Sequence, residues 1–110
     1  MRTKRPVIVV FVTKDGECFL KEVLAGIEEE GVHYEVERSH YGSYRELATE
    51  AATQSLLETG IGIDGEFVSF TICKLPKNNP LQSYSCLNND MPRRAGSNAA
   101  RIIKGIPLKY

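Results

Sequence analysis

The stretch "GIEEEG", Gly26 to Gly31, sets three carboxylates in a row: Glu28, Glu29 and Glu30. Such a cluster can hold a hard cation or meet a basic partner. A metal site built within the chain is not indicated, because no second group of carboxylates or histidines has the spacing to close a coordination shell. A single carboxylate completing a partner's metal site remains open, as does a merely solvated acidic turn. The histidines, His33 and His40, have no serine or cysteine at a motif spacing that suggests an activated nucleophile. "TGIGIDG" holds Gly60, Gly62 and Gly65, but it follows a predicted helix and opens a hairpin, whereas a dinucleotide fingerprint follows a strand and opens a helix. In "RRAGSNAAR", Gly96, Ser97 and Asn98 are expected to start a helix near Arg93 and Arg94. That arrangement is either an ordinary N-cap or a place where free amides hold an anion. Cys18, Cys73 and Cys86 are odd in number and widely spaced, which fits small hydrophobes better than a disulfide framework or a CxxC metal site.

The elements that position these residues follow from periodicity. "RPVIVVFV" reads as a buried strand ended by the polar "TKDG". A helix is predicted over 17–30, with Phe19, Leu20, Val23, Leu24 and Ile27 as its apolar stripe and Gly31 as its left-handed terminus. The glutamates then fall in its last turn, where outward-pointing carbonyls make acidic residues unfavourable by about 0.3–1 kcal/mol each. "VHYEVERS" alternates as a half-buried strand, completing a β-α-β unit with parallel strands. Ser43 caps a second helix, "YRELATEAATQSLLE", with Glu46 completing a capping box and Thr59-Gly60 as its stop. A hairpin around Asp64-Gly65, an extended "LQSYSCL" after the loop "PKNNP", and a short helix "SNAARIIKG" ended by Gly105 complete the chain. The expected fold class is α/β, a single three-layer domain over 1–110 with a mostly parallel, partly mixed sheet.

At 110 residues, with 42% hydrophobic and 25% charged residues, the chain suits one soluble domain with one core. Its longest apolar run is a strand's length rather than a membrane span, and no small-residue cleavage site follows it, so a cytosolic location is expected. Net charge is zero but uneven: acids dominate from Asp15 to Glu50, whereas from Met91 onward Arg93, Arg94, Arg101, Lys104 and Lys109 are all basic. That polarity suits a protein partner better than nucleic acid.

"KEVLAGIEEEGVHYEV" near the start and "GSNAARIIKGIPLK" at the end resemble the small subunit of the diol or glycerol dehydratase reactivating factor. Members of that family carry an EVL-GIEEEG segment and close with an NAAR-KGIP segment. Order, separation and length fit, while 39–90 match in pattern more than in identity. The medium subunit of the dehydratase shares the fold but is longer.

The resemblance implies a non-catalytic subunit of a chaperone that frees damaged cobalamin from inactivated adenosylcobalamin-dependent dehydratase. The factor has two large and two small subunits. Its large subunit is an actin-like ATPase that holds Mg2+ and ATP or ADP, and no cofactor is expected on this chain. The small subunit leaves the large one so that the dehydratase can dock in its place, and ATP binding later dissociates that complex. The large subunit and the dehydratase are therefore the expected partners, with neither nucleic acid nor membrane involved. The setting the resemblance implies is cytoplasmic, with or without a bacterial microcompartment. In that family a glutamate of the GIEEEG segment reaches a divalent metal on the large subunit; the middle one here is Glu29, the residue expected in that role. Helix phase does not choose among the three. Glu28, Glu30, Arg101 and Lys104 are the further interface candidates.

Two other classes fit the residues less well. One is a free-standing α/β module holding cobalamin or a nucleotide at the carboxyl ends of its strands. The other is an enzyme using His33 or His40 with Glu35 and Glu37.

Overall fold

A run as apolar as "IVVFVT" is stable in water only if both of its faces are covered, and strand β1 (Ile8–Thr13) is buried on both. The structure, a computed structural model, describes residues 6–40, 42–72, 82–85 and 90–107, without the side chains of Ser39, His40 and Gln82. After β1 come α1 (Glu17–Glu29), β2 (Tyr34–His40), α2 (Tyr44–Gln54), β3 (Thr59–Ile63), β4 (Phe67–Ile72), β5 (Gln82–Ser85) and α3 (Asp90–Lys104). The strands form one sheet in the order β2-β1-β3-β4-β5, parallel at β1–β2 and β1–β3 and antiparallel at the other two pairings. The expected three-layer α/β domain with a mixed sheet is therefore present.

Alternation along β1 divides the core. Ile8, Val10 and Val12 join Ile61, Ile63, Val68 and Phe70 beneath α1 and α3, against Leu20, Val23, Ile27, Ala95, Ala99 and Ala100. Val7, Val9 and Phe11 face the other way, onto Leu47 and Ala51 of α2. On that side β1 is paired with glycines, Val9 with Gly60 and Phe11 with Gly62. A Cβ on Gly60 would lie 2.1 Å from the Ala52 nitrogen, and one on Gly62 would lie 2.3 Å from the Tyr44 carbonyl oxygen. The "TGIG" glycines thus serve as a bed on which α2 lies against the sheet.

Several local expectations hold. Gly31 and Gly105 are left-handed at φ 75° and 69°, and Ser43 caps α2 by accepting from the Glu46 N–H. Asp64 closes the hairpin turn by accepting from Glu66 and Phe67 N–H, both at 2.8 Å.

Two helix limits differ from expectation. Helix α2 stops at Gln54 rather than running to Glu58, because Ser55 turns extended and its hydroxyl, buried, donates to the Val7 carbonyl at 2.6 Å. Its stop is not Thr59-Gly60, which begin β3; the chain reverses at Glu58, a non-glycine residue with φ 58°. Helix α3 begins at Asp90, so Gly96, Ser97 and Asn98 lie inside it and not at its start. The anion-binding alternative at those residues is overturned, because their amides belong to the helix interior. The loop "PKNNP", Cys73, Cys86 and Lys109 lie outside the described residues.

Candidate functional site at the crossing of α1 and α3

Two glycines bring α1 and α3 together. A Cβ on Gly26 would come within 2.0 Å of the Arg93 carbonyl oxygen, and one on Gly96 within 2.0 Å of the Val23 carbonyl oxygen. A glycine in a helix interior costs roughly 0.5–1 kcal/mol relative to alanine. Here that loss is accepted because the two backbones touch. Ala95, Gly96, Ala99 and Ala100 keep that face of α3 small.

Close approach carries the basic side chains of α3 to the acidic end of α1, where the three glutamates part company. Glu28 turns toward the sheet and accepts from the Tyr34 hydroxyl at 2.6 Å. Holding the proton against that carboxylate raises the Tyr34 pKa above the ordinary tyrosine value, with desolvation a second cause. Glu29 points along the outer surface and accepts from Arg93 Nε at 2.9 Å. The contact raises the Arg93 pKa, so the guanidinium stays charged. Glu30, whose side chain is only 8% exposed, accepts from Ser97 Oγ at 2.9 Å and from Arg101 Nε at 3.1 Å, and Lys104 Nζ stands 3.8 Å away. Lys104 also donates to the Glu30 main-chain carbonyl at 2.9 Å, satisfying an end-of-helix acceptor that α1 cannot satisfy itself. The acidic end of α1 thus meets a basic partner that is the chain's own third helix. Arg101 and Lys104 are doubly suited to this role, since they also occupy the last turn of α3, where cations are favoured.

Glu28, Glu30, Arg101 and Lys104, the interface candidates, all lie at this crossing. Arg101 and Lys104 are both bound to Glu30, and Glu28 is exposed. Glu29 differs from Glu30 in that its carboxylate is 41% exposed and its bond is to an arginine 49% exposed, so another charge can reach it. Among the described residues no three His, Cys, Asp or Glu side chains converge as a metal shell. A cation that Glu29 touched would take its remaining ligands from elsewhere. Tyr34, Arg93 and Ser97 were missed as members of the site. The spacing of Ala95, Gly96, Ala99 and Ala100 was the available signal, since small residues three and four apart mark a close helix contact.

The alternative sites fare differently. At the carboxyl ends of the strands, Asp64 Oδ2 accepts from the Tyr44 N–H at the start of α2 at 3.0 Å, in the place a ligand's phosphate would take. A Cβ on Gly16 would lie 2.8 Å from the Ile63 and Asp64 carbonyl oxygens, so the loop after β1 is packed onto the turn after β3. His33 is exposed and its ring makes no hydrogen bond among the described residues. The side chain of His40 lies outside the description.

The model of the dehydratase medium subunit family matches residues 5–109. The small subunit of a propanediol dehydratase-reactivating factor from Citrobacter freundii is 37% identical over 94% of this chain and 90% of its own length. The chain belongs to the dehydratase medium subunit family, among its reactivating-factor small subunits. A diol dehydratase-reactivating factor small subunit from Klebsiella michiganensis is 33% identical over 94% of this chain and 84% of its own. Among solved structures, a chain of a diol dehydratase-reactivating factor complexed with ADP and Mg2+ superposes with a TM-score of 0.90, at 32% identity, over 97% of this chain and 100% of that one. A glycerol dehydratase reactivase chain gives 0.88 at 28% identity, over 96% and 98%. In this chain the α1–α3 crossing brings together the EEE segment at the end of one helix and the NAAR segment on the other.

Proposed function

We propose that this chain is the exchangeable, non-catalytic subunit of a dehydratase-reactivating factor, which docks on a large ATPase subunit and vacates it so that an inactivated diol or glycerol dehydratase can take its place. The observation that carries the reading is the likeness to reactivating-factor small subunits over nearly the whole chain. A subunit that works by occupying and leaving an interface needs a rigid fold with accessible recognition groups, and the packed α1–α3 crossing with exposed Glu28 and Glu29 supplies both. Damaged cobalamin would leave the dehydratase while the complex is strained, and ATP binding to the large subunit would end the cycle. A solved relative contains ADP and Mg2+, which supports nucleotide and metal being part of such an assembly. Both are assigned here to the large subunit.

Glu29 is the residue we assign to the partner's divalent cation, since a single exposed carboxylate fits one position in the oxygen shell that a hard cation takes. Such a cation, when bound, would supply positive charge beside the nucleotide phosphates. The role of this chain is to orient one carboxylate toward it. Among the described residues no helix is long and apolar enough to cross a membrane.

The test is reconstitution. Inactivated diol and glycerol dehydratases, given the cognate large subunit, ATP and fresh adenosylcobalamin, should regain activity only when this chain is added. Recovery without it would refute the reading. Glu29→Gln keeps size and helix propensity, and its loss of affinity for the large subunit with Mg2+ present should reach about 2–5 kcal/mol if the carboxylate is a buried charged partner there. An unchanged affinity would remove Glu29 from the metal.

A further inference from the structure

Arg93 is fixed at its backbone and loose at its tip. Its carbonyl sits at the closest point of the helix crossing, where the α3 backbone cannot retreat without opening the contact with Gly26. Its guanidinium, half exposed, touches two carboxylates of α1: Nε donates to Glu29 at 2.9 Å, and a terminal nitrogen lies 3.9 Å from Glu22. Glu22 and Glu29 are seven residues apart, close to two turns, so they lie on one face of α1. Neither has a partner other than Arg93 among the described residues.

That geometry bears on how Glu29 could be used by a partner. A carboxylate that moves onto a divalent cation would leave a guanidinium within a few ångströms of two further positive charges, and like charges at that range repel. Arg93 has somewhere to go. The Glu22 carboxylate is already about one ångström beyond hydrogen-bonding distance, and the move requires only rotations of a flexible side chain. Because the Arg93–Glu29 pair is exposed, it is weak enough to be exchanged.

We propose that Arg93 is a two-position arm, bonded to Glu29 in the isolated subunit and transferred to Glu22 when the Glu29 carboxylate engages the partner's cation. The inference rests on the assignment of Glu29 made above. Arg93 then acts as a competitor that the partner must displace, which makes docking readily reversible, and Glu22 reduces the penalty of displacement.

The experiment is a titration of the chain with its cognate large subunit in Mg2+ and ADP, using wild type, Arg93→Gln, Glu22→Gln, the double variant and Glu29→Gln. Removing the competitor in Arg93→Gln should tighten binding about twofold to fivefold. Glu22→Gln should weaken binding about twofold, and the effect should vanish in the Arg93→Gln background. If Glu29→Gln weakens binding while Arg93→Gln leaves it unchanged or weakens it, the arm is overturned and the metal reading stands. If Glu22→Gln has the same effect in both backgrounds, the transfer is overturned. Unchanged binding by Glu29→Gln removes both readings together. In the isolated chain the Arg93 Nε–H resonance should shift in Glu29→Gln, a readout that needs no partner, and an unmoved resonance counts against the starting position.

Discussion

The molecule fixes its helices through glycines on both sides of the sheet, helix on strand on one side and helix on helix on the other, and finishes the two contacts differently. On one side α2 rests on Gly60 and Gly62 of β3, and the buried hydroxyls beside it are closed: Ser69 Oγ donates to the Tyr44 carbonyl at 3.0 Å, and Ser55 Oγ to the Val7 carbonyl. On the other side α1 and α3 touch at Gly26 and Gly96, but the end of that contact is a set of charges facing outward in graded fashion, from Glu30 at 8% exposure to Glu29 at 41%. Glycine contacts fix where helices lie, and it is the residues just beyond the contact that decide whether the surface is inert or available. Of these two contacts, the α1–α3 one ends, among the described residues, in opposite charges that an outside partner could rearrange.

The largest effects should come from filling the glycines, and they test whether the two sides are alike where they touch. Gly60→Ala places a methyl 2.1 Å from backbone on α2 and should destabilise by about 3 kcal/mol, measured by urea unfolding. Gly96→Ala meets the Val23 carbonyl oxygen at 2.0 Å but gains about 1 kcal/mol of helix propensity, so its net loss should be smaller, about 2 kcal/mol. If Gly96→Ala stabilises the protein, propensity alone governs that helix and the backbone contact is not what holds α1 to α3.

The next pair of variants breaks the gradation within the charged set. Glu30→Gln keeps the shape but removes the charge shared by Arg101 and Lys104, with Arg101 only 24% exposed, and should cost about 2 kcal/mol of stability. Glu29→Gln, at an exposed pair, should change stability by less than about 0.5 kcal/mol in the isolated chain. Equal losses from the two would mean that the adjacent glutamates are not divided between a structural role and an available one.

How far this was legible in the sequence depended on distance along the chain. Where one local segment contained its own reason, the reading held. The β-branched run made β1, the stripe from Leu20 to Ile27 made α1, and Gly31, Ser43, Asp64 and Gly105 did what their types favour. Failures occurred where a remote residue decided. Helix α2 ends early because Ser55 bonds to Val7, 48 positions away. Helix α3 begins before Gly96, which lies inside it against the Val23 carbonyl, while Pro92 falls in its first turn, where proline is tolerated. The acidic turn combined both cases. Its position at the end of α1 was readable, and so was the electrostatic penalty of three acids there. Which carboxylate turned where was not, because the compensating cations arrive from 64 to 74 positions downstream.

The last effect concerns Glu28, the one of the three glutamates that has no cation bonded to it among the described residues. Tyr34→Phe removes that bond at an exposed position and should cost about 0.5 kcal/mol near neutral pH. The sign of its pH dependence follows from the raised tyrosine pKa. A group that binds its proton more tightly folded than unfolded contributes stability that is fully present below the unfolded value, about 10 for tyrosine, and is lost as pH rises through the higher folded value. The stability difference between wild type and Tyr34→Phe should therefore be constant from pH 7 to about 9 and shrink above about 10, where the ionised phenol faces the Glu28 carboxylate. Urea unfolding of both proteins across that range measures it. A difference that grows with pH would mean that Tyr34 is held as the phenolate, in which case the hydrogen bond to Glu28 could not be what ties the end of α1 to the sheet.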